Sequence, residues 1–315
     1  MEIENQTSTL EFILLGVSDQ PKLELILFVV FFPVYLVTLC ANVLIIMVVL
    51  LNRHLQNPMY FFLCNLSFLD ICYASANIPK SLKNFLSERK TISFNGCAAQ
   101  MYISLSLGET ECLLLAIMAC DRYVAICHPL NYTTIMNRVV CIKIATCTWI
   151  SGFLLAVIHV AFTLTLPFCG HNRINHFTCE VTAVLRLACT DIRLIEIVIF
   201  VVGVLILIFP LSFILYTYIH ILAAILKIHS ANGRHKAFST CTSHLTVVTI
   251  FYGTCILMYM RPRSVVSPQN DKIISLFYGA ITPMLNPLIY TLRNNEVKGA
   301  LRKLSVKKYF LTFFL

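Results

Sequence analysis

The sequence predicts an all-α membrane protein: a seven-transmembrane helix bundle followed by a short C-terminal interfacial helix. Three observations carry that prediction. Of 315 residues, 58% are hydrophobic and only 12% are charged, far too apolar for a soluble chain of this length. Seven apolar runs approach or exceed the roughly 20 residues that the hydrocarbon core of a bilayer requires. They cover 25–51, 58–79, 98–120, 139–162, 195–226, 238–260 and 272–292. The basic residues behind the net charge of +9 gather between these runs, which fits membrane orientation better than nucleic-acid binding. The chain divides accordingly into an outer N-terminal segment (1–24), the seven-helix domain (25–292) and an inner tail (293–315).

The start, Met1-Glu2-Ile3-Glu4-Asn5, is acidic where a signal peptide would be basic, so insertion falls to the first span. Counting Lys and Arg orients the bundle only weakly. Inner segments hold Arg53, Arg122, Arg138 and a basic tail, but outer ones hold Lys83, Arg89, Lys90 and Arg173. Cysteines decide. Of 14, only Cys97, Cys169, Cys179 and Cys189 fall in predicted outer segments, where four thiols on the oxidising side suggest two disulfides with three possible connectivities. Of the sequons at Asn5, Asn65 and Asn131, the second lies within a helix and the third in a cytoplasmic loop. Asn5 is therefore the expected glycan site, with the N-terminus outside and the protein in the plasma membrane.

The first helix carries Asn42 in an apolar run, and Pro58 stands at the first turn of the second. Asp70 lies near the middle of that second helix, where a carboxylate needs a partner, water or a cation. Glu111 on the third helix is placed to share a monovalent cation or a proton with it, and sodium suits such oxygen ligands. Glu109, two residues earlier, points to another face. It is a candidate polar contact for a ligand, or a residue facing another helix or water. The same helix ends in Asp121-Arg122-Tyr123, a charged pair at the mouth of a span, where charge is costly unless it reaches the interface or has a role. The fourth helix carries Trp149, read as a packing residue. A long outer loop, Pro167 to Asp191, follows; two disulfides would make it a lid.

Pro210 interrupts the fifth helix, predicting a kink or bulge, and Tyr218 lies two turns deeper. The run from Ile195 to Leu226 exceeds a bilayer and should tilt or extend into the cytoplasm. On the sixth helix Tyr252, Cys255, Ile256 and Tyr259 are spaced i, i+3, i+4, i+7 and form one stripe. Mixed aromatic, aliphatic and hydroxyl groups on a stripe suit a cavity for small, mostly apolar molecules; a stripe of that kind also serves plain helix packing. In the seventh helix Asn286-Pro287 frees a carbonyl and suits a hinge. Beyond Arg293, Val297, Leu301 and Leu304 share one side while Lys298, Arg302 and Lys303 surround it, the pattern of an interfacial helix on the inner leaflet.

Four motifs in order now carry a resemblance over nearly the whole chain, from Phe12 to Leu304. They are Asn57-Pro58-Met59-Tyr60-Phe61-Phe62-Leu63, Met118 to Pro129, Lys236 to Leu245 and Pro283 to Asn294. The chain resembles the vertebrate olfactory receptors, a branch of rhodopsin-like G-protein-coupled receptors, and within them the tetrapod-type class. The resemblance implies a receptor without catalytic activity. It implies Cys97–Cys179 and Cys169–Cys189 disulfides, and a sodium site at Asp70 and Glu111. A ligand wall of Ser104, Leu105, Gly108, Glu109, Val202, Ile206, Tyr252, Cys255, Ile256 and Tyr259 follows from it too. So does a switch and G-protein-coupling set of Asp121, Arg122, Tyr123, Tyr218, His244, Asn286, Pro287 and Tyr290, in which Arg122 leaves Asp121 for Tyr218 and Tyr290. The implied partners are a small volatile odorant, membrane lipid and a stimulatory, olfactory-type G protein that raises cAMP. Departures from the family pattern are mild: Cys120 stands for a tyrosine, Ala41 for a glycine, and Asn175, Thr178 and Glu180 differ in the lid.

The rivals are weaker. Acidic residues Asp70, Glu109 and Glu111 would suit an ion path, but no inverted repeat is visible and seven spans do not divide into two halves. A same-fold receptor for a non-odorant molecule is the nearer alternative. Ser104 stands where amine receptors carry an Asp, and helix seven has no central Lys for retinal. No nucleophile–base pair or metal-ligand cluster has useful spacing for an enzyme.

Overall fold

Seven helices long and apolar enough to cross a membrane run over Pro21–Leu51, Pro58–Phe85, Phe94–Cys127, Arg138–Leu164, Arg193–Leu226, Ala231–Tyr259 and Pro268–Thr291. They are seen in a computed structural model, which describes residues 11–18, 20–169, 172–260, 267–293, 297–300 and 302. The all-α seven-helix prediction holds. Several helices begin on a side-chain cap: Asn57 accepts from the Tyr60 amide, Ser93 from Gly96, Asn137 from Val140 and Ser230 from Gly233.

Several predicted ends need correction, among them the start of the sixth helix, which lies at Ala231 rather than 238. The second helix was expected to stop at 79, yet it continues through Pro79 to Phe85. A proline removes one backbone donor, but the turns beyond it bury Ser81, Leu82 and Phe85, and that burial outweighs one lost bond. The third helix runs from Phe94 to Cys127, well beyond the predicted 98–120.

Irregular backbone gathers ahead of prolines. A π segment, Val204–Ile208, precedes Pro210 in helix five, and a second, Phe277–Ile281, precedes Pro283 in helix seven. Each ends two residues before a proline, whose missing N–H cannot close an ordinary α turn. Helix seven stays α-helical across Pro287, so its irregular turn lies outside the Asn286-Pro287 step where the sequence suggests a hinge. The carbonyl that Pro287 cannot bond is that of Pro283, and Asn42 Nδ2 donates to it at 3.1 Å. The first and seventh helices are thereby tied at the weak point.

Packing is tightest between helices three and four. A Cβ on Gly152 would lie 2.1 Å from Thr110 Oγ1 and 2.9 Å from the Ser106 carbonyl oxygen, so only glycine permits this approach. Trp149 packs on Phe68 and also donates its indole N–H to Asn65 Oδ1 at 3.1 Å, which joins helix four to helix two. The outer faces of helices one, four and five expose Leu25, Val29, Leu50, Leu154, Leu205, Phe209 and Ile219, a belt that belongs in lipid.

One element escaped the sequence altogether. A three-stranded sheet forms on the lid side from β1 (Glu11–Leu14), β2 (Thr91–Ser93) and β3 (Arg173–Ile174) in the order β2-β1-β3. β1 runs antiparallel to β2 and parallel to β3, and it buries Phe12 and Leu14. Gly16, at φ +76, turns the chain after β1, a conformation that glycine adopts without strain. Glu24 at the start of helix one then pairs with Lys90. In the tail, Val297 and Ala300 are buried against the bundle while Lys298 is exposed. Leu301 and Leu304, and Asn5 at the other end, lie outside the described residues.

Candidate functional site

The bundle holds a cavity under the lid with about 860 Å³ of empty space counted out to its mouth. Seven of the expected wall residues line it: Ser104, Leu105, Gly108, Glu109, Ile206, Cys255 and Tyr259. Three do not. Val202 packs against the neighbouring core, and Ile256 is half-buried off the wall. Tyr252 is buried beside the cavity with its hydroxyl donating to the Cys112 carbonyl at 2.7 Å. The true stripe on helix six is Phe251, Cys255 and Tyr259, spaced four and four, so Tyr252 and Ile256 share a face one residue out of phase.

The lid and helices four and seven supply wall residues that sequence reasoning missed, notably Glu180 and Val181, His159, and Tyr278. His159 and Glu180 are ionisable residues that the apolar pattern gave no reason to place together. Glu180, noted only as a lid departure, receives hydrogen bonds from Tyr259 at 2.5 Å and Tyr278 at 2.6 Å. It thus links the lid to helices six and seven. Burial pushes its carboxyl above the usual range, and the two tyrosine donors act in the opposite direction. Two more contacts repeat the link to helix seven: His176 meets Ser275 at 3.1 Å, and Arg186 pairs with Asp271 at 2.8 Å. The partners Asp271, Ser275 and Tyr278 are spaced i, i+4, i+7 and so present one helical face to the lid. Burial lowers the His176 pKa to about 3, leaving a neutral ring.

Cys97 is bonded to Cys179, with Cα atoms 5.3 Å apart, and Cys169 to Cys189, at 5.8 Å. The first bond fastens the lid to helix three directly above the cavity. Gln100 adds a side-chain acceptor for the Cys179 amide at 3.0 Å.

Below the cavity lies a buried polar cluster. Asn286 Nδ2 donates to both oxygens of Asp70, at 3.1 and 3.2 Å, and to Glu111 Oε1 at 3.3 Å. The two carboxyls thus share one amide between three helices. As a cation site the donor set is two carboxyls and an amide, which presents oxygen to an ion if its orientation reverses. Among the described residues no group of three His, Cys, Asp or Glu side chains forms a metal site.

At the end of the bundle away from the lid, Arg122 is buried with Nη1 against Met59 Sδ at 3.6 Å and its Nε without a hydrogen bond among the described residues. The resemblance places Asp121 as its resting counter-charge. Here Asp121 instead accepts from the Tyr132 hydroxyl at 2.9 Å, and no ion pair joins it to Arg122 among the described residues. The short helix Tyr132–Ile135 brings a strong donor to Asp121, and its hydroxyl competes successfully for the carboxylate. Tyr218 donates to, or accepts from, His244 Nδ1 at 2.9 Å, and His244 Nε2 reaches the Leu115 carbonyl at 3.1 Å. His244 therefore clamps helix six to helices three and five. The Tyr290 hydroxyl, from helix seven, is buried without a hydrogen bond among the described residues. Tyr123 is half-buried against the core and its ring also meets His128 and His220. Cys120 is a half-buried free thiol packed on the core.

With this geometry in view, comparison with known proteins is direct. A family model described as olfactory receptor matches residues 31–308. The chain is 52% identical to olfactory receptor 13C9 of Homo sapiens, covering 98% of this chain and 99% of that protein. It is 54% identical to olfactory receptor 2K2 of Homo sapiens, covering 96% of each. A lid tied to helix three, a cavity beneath it and a buried Asp-Arg-Tyr arginine at the opposite end all sit in a chain matched over nearly its full length, and the chain belongs to the olfactory receptor family.

Proposed function

We propose that this receptor takes a small, mostly apolar odorant into the cavity under its lid and activates a stimulatory, olfactory-type G protein that raises cAMP. The single observation that carries the reading is the arrangement along helix three. Leu105, Gly108 and Glu109 line the cavity at one end, and Arg122 is buried at the other without a carboxylate ion-pair partner among the described residues. Receptors of this family are not enzymes. An odorant shifts the conformational equilibrium by binding one arrangement more tightly than the other. Wall residues on helices five and six, Ile206, Cys255 and Tyr259, transmit that preference toward the inner end of helix six. Its outward displacement breaks the His244 contacts with Tyr218 and Leu115, and Tyr218 and Tyr290 then meet Arg122. The cleft so opened, with Asp121 and Tyr123 at its edge, receives the G protein.

The N-terminus lies outside and Asn5 carries glycan, so that the disulfide-bonded lid faces the odorant. A sodium ion at Asp70 and Glu111 would offset two buried carboxyls and oppose the movement of Asn286 and Pro287. Replacing Arg122→Ala tests the mechanism: odorant-stimulated cAMP should disappear in transfected cells while surface expression holds. An unchanged response at equal expression would rule out the arginine switch.

A further inference from the structure

Glu109 of helix three and His159 of helix four face one another on the cavity wall. His159 Nδ1 lies 2.9 Å from Glu109 Oε1, close enough for an ion pair but not aligned as a hydrogen bond. Glu109 is only 6% exposed, and among the described residues neither of its oxygens has a hydrogen-bond donor. Buried acceptors left in this condition cost free energy that a suitably placed donor recovers.

The other two carboxyls of the cavity are already served. Glu111 accepts from Asn286, and Glu180 accepts from two tyrosines. Among the described lining residues there is no Lys or Arg, so nothing there favours a carboxylate ligand. Beside Glu109, Gly108 opens room, since a Cβ there would meet nothing within 4 Å. Leu105, Ile206, Leu207 and Phe251 leave an apolar surround for the body of a ligand.

Resting on the odorant reading above, we propose that Glu109 is the acceptor for a hydroxyl-bearing odorant, an aliphatic alcohol or a phenol. The ligand's O–H donates to the Glu109 carboxylate, and its hydrocarbon part fills the apolar surround. A hydroxyl fits better than an ammonium. The imidazole of His159 already lies against Glu109 without aligning a hydrogen bond to it, so a hydrogen-bond donor is what the carboxyl lacks. An ammonium would also lose far more hydration in an apolar cavity.

The test uses full-length receptor in cells at matched surface expression, with cAMP as readout. The compounds are a series of aliphatic alcohols and phenols, each with its methyl ether, amine and carboxylic acid counterpart. Alcohols or phenols should activate, with the ethers at least about tenfold less potent for want of a donor. Glu109→Leu should collapse the alcohol-to-ether potency ratio to about one. His159→Leu should move the preference from alcohol toward amine, because the imidazole then no longer fills the space beside Glu109 Oε1. Equal potency of alcohol and ether, or alcohol responses indifferent to Glu109→Leu, would overturn the hydroxyl assignment while leaving the odorant reading intact. Silence toward the whole series at full surface expression would count against both.

Discussion

Asn42 shows how far one side chain reaches in this bundle. Its amide takes the Pro283 carbonyl that Pro287 cannot bond, so a helix-one residue completes the backbone of helix seven. Asn42→Leu leaves that carbonyl buried and unpaired, which should cost about 1–3 kcal/mol and appear as a lower melting temperature of the purified receptor. His176 makes a different kind of prediction. Its folded-state pKa, about 3, lies below the ordinary value of 6.5, so the unfolded lid takes up a proton before the docked lid does. Stability from this group is present in full above pH ~6.5 and is lost as pH falls toward 3, by about 1.4 kcal/mol per pH unit. The protection factors of amides in residues 172–180, corrected for the intrinsic pH dependence of exchange, should therefore fall between pH 7 and pH 5, and His176→Gln should flatten that dependence.

At the scale of elements, the helix three–four contact depends on Gly152. Gly152→Val places a side chain against Thr110 and the Ser106 backbone, which cannot retreat as a flexible side chain would. Overpacking of this kind costs typically about 1–3 kcal/mol, and thermal unfolding in detergent should register it. Adding Thr110→Ala should restore only part of the loss, because the backbone contact remains. The lid is the other decisive element. Strand β1 lies between β2 and β3, so removing residues 11–14 should expose both neighbours. Faster amide exchange in 91–93 and 173–174, with the helices unaffected, is the expected result. Uniform loss of protection through the bundle would mean that β1 supports the whole fold instead.

The whole molecule is a multi-pass plasma-membrane receptor of the olfactory family, and its plan was legible in the sequence. Bilayer thickness demands apolar runs of one length, so seven helices could be counted from composition and spacing alone. Pro210 marked an irregular turn in helix five, whereas the one in helix seven lies ahead of Pro283 and outside the Asn286-Pro287 step. The motif residues also placed the inner arginine and the Asp70–Glu111 pair. What the sequence left open was which side chains meet. Tyr252 and Ile256 are absent from the cavity wall because helix six is rotated to present Phe251, Cys255 and Tyr259. Glu180 and His159 were invisible because their partners come from other helices. Strands of two to four residues carry too little periodicity to announce themselves before their neighbours are known. Asp121 likewise pairs with Tyr132 through a loop helix, not with the adjacent arginine. Spans, lipid-facing surface and family thus follow from the local chemistry of the chain, because the bilayer acts on every helix separately. Cavity shape, the lid's three contacts with helix seven and the partners of each buried charge were decided only by tertiary structure, because each depends on the rotation of one helix against another.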